Sequence, residues 1–260
     1  MTIAALWTVA QGDGEDKKLR HRDLETRYNA FRMPFGDSCM TANGFSWDHV
    51  DDVLLDMDGT LLDRHFDNFF FEEELPRRYA AKHGIQVDEA FRRLMTLYRS
   101  VEGELDWTDL GYWTRTLGID LVALTKEFEH LITFHPDAID FLGHLRARGK
   151  RVHLVTNAHA AGIEIKVART SLDQYVDRVV SAFEVGYLKM RPEFWPACRR
   201  LLNFTPSRSL YIDDDEACLA AAQLYGIGYV YHRSKSSSRL PPEPSSRYAS
   251  IESFHVLMTP

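Results

Sequence analysis

The chain has 260 residues, 45% of them hydrophobic, and a formal net charge of -7 at pH 7. This length and composition allow one large domain with a sizeable insertion and a substantial core. The acidic balance argues against a general binder of nucleic acid but not against a small phosphorylated substrate, and no stretch reaches the roughly 18 apolar residues of a membrane span.

Residues 1–45 show no sustained hydrophobic period and mix charged residues with glycine and small polar residues. Such a segment is predicted to be a poorly ordered or loosely packed extension. It lacks the basic start of a signal peptide, and Met40 is a candidate for the true start of translation. We therefore expect that part of this extension need not belong to the native protein.

The first predicted strand covers residues 52–57, and the block 67–135 that follows it shows helical patterns only. Its predicted helices are separated by glycines and lie at 69–83, 88–102, 108–117 and 121–131. Because this all-helical block leaves the chain directly after the first strand, we expect it to lie over the carboxyl end of that strand as a cap domain.

Strands and helices alternate after Pro136, which indicates parallel strands joined by right-handed crossovers. The predicted strands lie at 151–156, 178–182, 209–213 and 228–231, and the predicted helices begin at 136, 161, 193 and 216. An irregular Ser- and Pro-rich segment and one short helix within 248–258 complete the chain. The expected fold class is α/β, with a Rossmann-like parallel sheet formed by residues 46–66 plus 136–260 and an inserted all-helical cap.

Two aspartates, Asp56 and Asp58, end the first strand. Side chains alternate along a strand, so the two carboxylates share a direction at the carboxyl end of the sheet, where α/β folds bind ligands. One can act as a nucleophile while the other acts as an acid and base. The alternative is an Asp-Gly turn that closes a hairpin, and the polar groups at the other strand ends disfavour it.

Two further strand ends carry groups suited to a phosphoryl group. Thr156 and Asn157 follow the second predicted strand and offer a hydroxyl and backbone N–H groups, although a simple turn cap has the same composition. Lys189 follows the third and can neutralise a carboxylate or a phosphate. A solvated surface lysine is the commoner case, and Arg191 competes for the same role.

The fourth predicted strand ends in four acidic residues, Asp213 to Glu216. Carboxylate oxygens suit Mg²⁺, while acids at a helix N-terminus are also favoured by the helix dipole. We expect Asp214 to serve the metal, and Asp215 and Glu216 to serve the helix.

The carboxylates of Asp56, Asp58 and Asp214 require compensating positive charge if they meet at one phosphate. Two like charges about 4 Å apart repel by roughly 4 kcal/mol at an effective dielectric constant near 20. A divalent cation and Lys189 are the compensating charges that the sequence offers. The acidic cluster and its counter-charges are therefore predicted together.

A family resemblance rests on these motifs in their order along the chain. The run Asp56 to Thr60, then Thr156, Lys189 and the pair Asp213-Asp214 resemble the four motifs of the haloacid dehalogenase-like (HAD) phosphohydrolases. The position of the insert resembles the helical C1-type cap of that superfamily, and the resemblance covers roughly residues 47–232. Met190 departs from the pattern, because a proline commonly follows the motif lysine.

A more specific resemblance links the chain to the GMP/IMP nucleotidase family. The segments that carry it are Trp47 to Asp51, Phe66 to Phe70, Leu105 to Trp107 and Tyr112-Trp113. This resemblance implies a purine nucleoside 5′-monophosphate as the substrate.

The resemblance to the HAD phosphohydrolases implies a catalytic sequence. Asp56 would attack phosphorus and form an aspartyl-phosphate, while Asp58 would protonate the leaving oxygen and later deprotonate the hydrolytic water. Thr156 and the Asn157 N–H group would hold the phosphoryl oxygens, and Lys189 would neutralise charge at Asp56.

The same resemblance implies Mg²⁺ as the cofactor. The metal would be held by Asp56, by the backbone carbonyl of Asp58 and by Asp214. Asp213 would orient a metal-bound water without binding the metal itself.

Aromatic residues of the insert are candidates for stacking on a purine base. Phe69, Phe70 and Phe71 lie about 100° apart on a helix, so they cannot all face one apolar seam equally well. Phe70 and Trp107 are the predicted base contacts, since a base stacked on an aromatic ring gains about 1–3 kcal/mol in single-stranded nucleic-acid sites. Packing inside the insert is the commoner role for any one ring.

Three other functions stay open at this point. A sugar-phosphate phosphatase or phosphomutase would share the core, a receiver-like signalling domain would share the acidic pocket, and a dehalogenase would share the nucleophile. A dehalogenase needs neither a metal nor Asp58, and a receiver-like domain needs neither Asp58 nor the insert. A phosphatase is therefore favoured.

The three cysteines, Cys39, Cys198 and Cys218, have a spacing that fits neither a zinc site nor a disulfide framework. This favours a reducing compartment and a cytoplasmic location. We expect a small phosphorylated substrate and neither a nucleic-acid nor a membrane partner, and the sequence gives no indication of the oligomeric state.

Overall fold

The computed structural model describes residues 45–258, and a six-stranded sheet lies at the centre of this part of the chain. Its strands are β1 (Asp52–Leu55), β2 (Arg151–Thr156), β3 (Arg178–Ser181), β4 (Ser209–Asp213), β5 (Tyr229–Arg233) and β6 (Ser250–Ile251). The spatial order is β3-β2-β1-β4-β5-β6, and every neighbouring pair is parallel. This arrangement confirms the predicted α/β fold with a Rossmann-like parallel sheet.

An all-helical insert, residues 65–131, lies between β1 and β2. Its helices are α1 (His65–Phe69), α2 (Leu75–His83), α3 (Val87–Ser100), α4 (Leu110–Leu117) and α5 (Leu121–Glu127). A π-helical turn joins α1 to α2. The helical segment begins at His65, whereas the sequence predicted a start at residue 69. The cause is local, because the Asp63 carboxylate accepts a hydrogen bond from the His65 N–H group at 2.9 Å.

Helices cover both faces of the sheet, as a parallel sheet requires. They are α6 (Ala138–Ala147), α7 (Ala160–Thr170), α8 (Ala182–Val185), α9 (Phe194–Leu202), α10 (Glu216–Tyr225) and α11 (His255–Met258). Successive side chains of β1 point to opposite faces, so Val53 and Leu55 belong to the core that includes Phe141 of α6. Leu54 belongs to the core that includes Trp195 of α9. Burial on both faces explains the continuous apolar sequence of β1.

The last part of the described chain contains a strand that the sequence did not indicate. β6 pairs with β5 and α11 follows it, whereas the sequence predicted a short helix alone within 248–258. A buried network fixes this segment, because the Asp137 carboxylate accepts hydrogen bonds from the side chains of Arg233 and Ser253. A two-residue strand has no periodicity to detect, so tertiary contacts determine its pairing.

Three expectations from the sequence concern the N-terminal extension, membrane spans and the cysteines. The predicted extension, residues 1–45, lies outside the described residues except for Phe45, whose ring meets Trp47 edge-on. Within residues 45–258, each helix is too short or too polar to cross a membrane. Cys198 and Cys218 are buried free thiols, which agrees with the lack of a disulfide pattern in the sequence.

Candidate active site

Three carboxylates converge where β1 and β4 end. Asp56 follows β1, Asp213 is the last residue of β4, and Asp214 follows it; the two strands are paired neighbours. One carboxylate oxygen from each residue lies within 4.8 Å of those of the other two. Carboxylate oxygens gathered this closely are the hard ligands that a divalent cation such as Mg²⁺ prefers. Asp56, Asp213 and Asp214 are called the carboxylate cluster below.

The ammonium group of Lys189 is the counter-charge inside this cluster. Its side chain is 3% exposed, and Nζ contacts a carboxylate oxygen of Asp56 and lies 2.7 Å from Oδ2 of Asp213. Burial by itself would lower the pKa of Lys189, but the charges of Asp213 and Asp56 outweigh burial and raise it well above its ordinary value. The raised pKa keeps the Lys189 ammonium charged beside the two carboxylates.

The loop that carries Lys189, between α8 and α9, is held by its backbone. Its N–H group donates to Oδ1 of Asn157 at 2.9 Å, and its carbonyl accepts from Nε1 of Trp195 at 3.1 Å. These bonds fix the lysine although Met190 stands where the family pattern has proline. Arg191, the competing cation, instead donates to the Gly103 carbonyl of the insert at 2.9 Å.

Both carboxylate oxygens of Asp213 are already engaged by protein groups. Oδ2 accepts from Lys189 and from the Tyr211 hydroxyl, and Oδ1 accepts from the Asp215 N–H group at 2.9 Å. A carboxylate with so many partners is suited to orienting its neighbours rather than to binding a metal directly. Asp215 itself caps α10 by accepting from the Ala217 N–H group at 2.7 Å, as expected for an acid at a helix start.

The carboxylate of Asp214 lies against Arg64 and Gly59. Oδ2 of Asp214 accepts from Nη1 of Arg64 at 2.6 Å, a contact that the sequence did not predict. Gly59 has φ of +89°, and a Cβ atom there would lie 2.4 Å from the same oxygen. Glycine is therefore required at position 59 both by backbone conformation and by the approach of Asp214.

Burial shapes the ionisation of the cluster. Burial raises the pKa of Asp56 well above its ordinary value. The positive charge of Lys189 lowers this pKa, and the negative charges of Asp213 and Asp214 raise it. Burial likewise raises the pKa of Asp214 to about 6, against the lowering effect of Arg64. A cation among these carboxylates would favour their charged forms.

Asp58 lies beside the cluster rather than within it. Its side chain is 26% exposed, and Oδ1 lies 2.7 Å from Nζ of Lys166, which α7 contributes. The same ammonium lies 3.0 Å from Oδ1 of Asp67 on α1. Lys166 was missed at the sequence level, because a single lysine in an amphipathic helix carries no motif.

Thr156 is the last residue of β2, and Asn157 follows it. The Thr156 hydroxyl is buried and accepts from the Ala158 N–H group at 3.0 Å, which leaves its own proton for donation to an oxygen of a ligand. The side chain of Asn157 holds the Lys189 loop, and its carbonyl accepts from the Thr108 hydroxyl of the insert at 2.6 Å. This turn therefore joins the cluster to the insert.

The two predicted aromatic contacts occupy different environments. Phe70 is 1% exposed and packs between Phe66 and Phe71, with ring centroids at 5.6 and 4.9 Å, so the structure assigns it to the core of the insert. Trp107 is half-buried and lies edge-on to Tyr98 at 6.0 Å, directly before the Thr108 that contacts the Asn157 carbonyl. Of the two residues, Trp107 is the one that neighbours, in the sequence, a contact with the site loops.

Comparisons with known proteins give one consistent result. The family model of haloacid dehalogenase-like hydrolases matches residues 50–226. Over 213 residues the chain is 37% identical to a protein of Escherichia coli strain K12 named GMP/IMP nucleotidase YrfG, and the match covers 82% of this chain and 96% of that protein.

Solved structures extend the comparison to the fold. A HAD phosphatase from Thermococcus onnurineus matches with a TM-score of 0.68 at 22% identity, covering 80% of this chain and 96% of that chain. An L-2-haloacid dehalogenase from Xanthobacter autotrophicus matches with a TM-score of 0.54 at 16% identity, covering 80% and 97%. At such identities the likeness shows the fold alone, so the reaction must be argued from the site.

Proposed function

Because this chain belongs to the haloacid dehalogenase-like hydrolase family, we propose that it is a Mg²⁺-dependent phosphomonoesterase that hydrolyses purine nucleoside 5′-monophosphates. The observation that carries the reaction type is the carboxylate cluster, whose oxygens lie within 4.8 Å of one another with the buried Lys189 ammonium among them. The preference for GMP and IMP is supported by the identity to the Escherichia coli nucleotidase.

In the first half-reaction, Asp56 attacks the phosphorus atom and the bond from phosphorus to the ester oxygen breaks. Asp58 gives its proton to the departing oxygen, so the nucleoside leaves as an alcohol. Lys189 stabilises the charge of Asp56 and of the transferred group, and Thr156 donates its hydroxyl proton to a phosphoryl oxygen. The product on the enzyme is an aspartyl-phosphate.

In the second half-reaction, water attacks the phosphorus of the aspartyl-phosphate. Asp58 takes the proton of that water, and the bond between Asp56 and phosphorus breaks to release inorganic phosphate. Asp58 is then protonated again and ready for the next substrate. A carbon–halogen bond offers no oxygen that needs this proton, so the presence of Asp58 favours phosphate esters over haloacids.

The metal belongs to the same proposal. Asp56, the backbone carbonyl of Asp58 and Asp214 would hold Mg²⁺, and Asp213 would orient a water on it. When bound, Mg²⁺ supplies positive charge that balances the carboxylates and the phosphoryl oxygens. The oxygen-only composition of the cluster is what makes this hard cation the best fit.

Substrate selection is assigned to the insert, which we propose acts as a cap. Two of its contacts with the site loops are polar, through Thr108 to Asn157 and Arg191 to Gly103, and hydrogen bonds of this kind can break and reform when a substrate enters. Trp107 is kept as the candidate for stacking on the base. A cytoplasmic site of action completes the proposal and is supported by the two buried free thiols.

A panel of phosphate esters tests the proposal. The purified protein is assayed with Mg²⁺ on IMP, GMP, AMP and glucose 6-phosphate, and IMP and GMP should be preferred in kcat/KM by about tenfold or more. EDTA should remove the activity, and Asp56→Asn serves as the control for a contaminating phosphatase. Preference for the sugar phosphate would reject the nucleotide assignment and favour the sugar-phosphate phosphatase or phosphomutase instead.

A further inference from the structure

We propose that Lys166 is a positioning residue for Asp58. It holds Oδ1 of Asp58 by a hydrogen bond and leaves Oδ2 to carry the proton that is transferred. This inference rests on the proposed role of Asp58 as the general acid and base. Lys166 lies on α7, outside every motif by which the family resemblance was drawn.

The contact itself is close and enclosed. Nζ of Lys166 lies 2.7 Å from Oδ1 of Asp58, and the Lys166 side chain is only 8% exposed. The Phe66 ring lies under the ammonium, 5.6 Å from its centroid. A buried lysine must be paired to remain charged, so this contact is a built feature and not a chance surface pair.

A second carboxylate keeps the lysine in place. Asp67 of α1 lies 3.0 and 3.2 Å from the same Nζ through its two oxygens. Two carboxylates around one ammonium group compensate for the burial of its charge. Held by both oxygens of Asp67, the ammonium has a fixed direction from which it donates to Asp58.

The chemical consequence concerns which oxygen of Asp58 carries the proton. Oδ1 is occupied by the N–H donor of Lys166, so the proton for transfer is carried on Oδ2. As the bond between Asp56 and phosphorus forms and the ester bond breaks, the proton leaves Oδ2 for the ester oxygen. In the second half-reaction Oδ2 takes a proton from the water whose oxygen bonds to phosphorus.

The contact between Lys166 and Asp67 links the orientation of the Asp58 carboxyl to the insert. Asp67 belongs to the first helix of the insert, whereas Lys166 belongs to a helix that packs on the sheet. The orientation of Asp58 therefore depends on a residue on each side of the boundary between insert and sheet. Loss of either partner should allow the Asp58 carboxyl to rotate.

The test compares two esters that differ in how much their leaving group needs a proton. Benzyl phosphate releases an alkoxide and depends on general acid catalysis, whereas p-nitrophenyl phosphate releases a stable phenolate. Lys166→Met should lower kcat/KM for benzyl phosphate by about 10²-fold, because general acid–base catalysis contributes about 10²–10⁴-fold. The value for p-nitrophenyl phosphate should change by less than about threefold, which also shows that the variant is folded.

Three further variants make the result specific. Arg169→Met removes an exposed charge from the same helix and should leave both esters unaffected. Lys166→Arg should recover most of the lost activity on benzyl phosphate, and Lys166→Gln repeats the measurement should Lys166→Met fail to fold. In an Asp58→Asn background, Lys166→Met should cost less than about threefold more, because both changes act on one proton transfer.

The outcomes separate this inference from the proposed function. If Asp58→Asn discriminates between the two esters and the Lys166 variants do not, Lys166 is a structural ion-pair partner and the inference is wrong. If Asp58→Asn itself lowers both esters equally, Asp58 is not the general acid, and the proposed mechanism fails together with the inference. An equal loss on both esters in Lys166→Gln likewise overturns positioning.

Discussion

Replacement of Lys189 by methionine should destabilise the metal-free protein by several kcal/mol. The change removes the ammonium from among the carboxylate cluster but keeps a side chain of similar length. Oxygens of Asp56 and Asp213 lie within 4.8 Å of one another, so two full charges there repel by at least about 3.5 kcal/mol at an effective dielectric constant of 20, and the raised pKa of Asp56 lets a proton relieve part of this repulsion. Breaking a buried ion pair by removing one partner typically costs about 3–5 kcal/mol, which is consistent with this value.

Urea unfolding in EDTA, followed by tryptophan fluorescence, measures the loss. Lys126→Met, a substitution of an exposed lysine in the insert, is the matched control and should change the free energy of unfolding by less than about 0.5 kcal/mol. Adding Asp213→Asn to Lys189→Met should recover a large part of the loss, because one of the two like charges disappears. Mg²⁺ should stabilise Lys189→Met more than it stabilises the unchanged protein.

A small effect would contradict this reasoning. If Lys189→Met loses less than about 1 kcal/mol in EDTA, and Asp213→Asn restores nothing, the carboxylates are not held in repulsion by the fold. The convergence of charges on which the proposed mechanism depends would then be wrong.

Three further predictions concern other parts of the molecule. Asp214→Asn should weaken Mg²⁺ activation by about tenfold or more, and a Mg²⁺ titration of activity that is unchanged would remove Asp214 from the metal site. Gly59→Ala should cost about 1–2 kcal/mol for its left-handed backbone and should also weaken Mg²⁺ activation, because the new methyl group displaces Asp214; a fully active and equally stable variant would refute this. Asp137→Ala should destabilise the protein by about 3–5 kcal/mol, because it leaves the buried Arg233 without its partner. Burial would raise the pKa of Asp137, but hydrogen bonds from Arg233 and Ser253 outweigh it and lower the pKa below 3.8, so its contribution is present above about pH 3.8 and is lost as the pH falls through the lowered value. Asp137→Ala should therefore flatten the acid limb of the stability profile, and an acid limb identical to that of the unchanged protein would contradict the assignment.

The fold could be predicted from local signals because most of its elements are long or strongly patterned. The apolar run of β1 and the alternation after Pro136 indicated a parallel sheet, and the sheet order then brought the motif residues to one edge. Helix starts were less accurate, since a side-chain bond from Asp63 begins the insert earlier than hydrophobic periodicity shows. β6 was missed because a pair of residues has no period.

Only those residues of the candidate site that belong to a sequence motif could be predicted. Asp56 and Asp214 follow strand ends and Lys189 is marked by its place in the motif order, whereas Arg64 and Lys166 reach the site from a loop and a helix whose positions are fixed by packing. Such placements depend on tertiary structure and leave no trace in a single sequence.

Trapping the phosphorylated enzyme tests the proposed mechanism most directly. Asp58→Asn slows hydrolysis of the intermediate, so rapid acid quenching of this variant with p-nitrophenyl phosphate and Mg²⁺, followed by peptide mass spectrometry, should find a phosphoryl group on Asp56. The same experiment with Asp56→Asn should find none. A phosphoryl group on another residue, or turnover without any phosphorylated peptide, would contradict nucleophilic catalysis by Asp56.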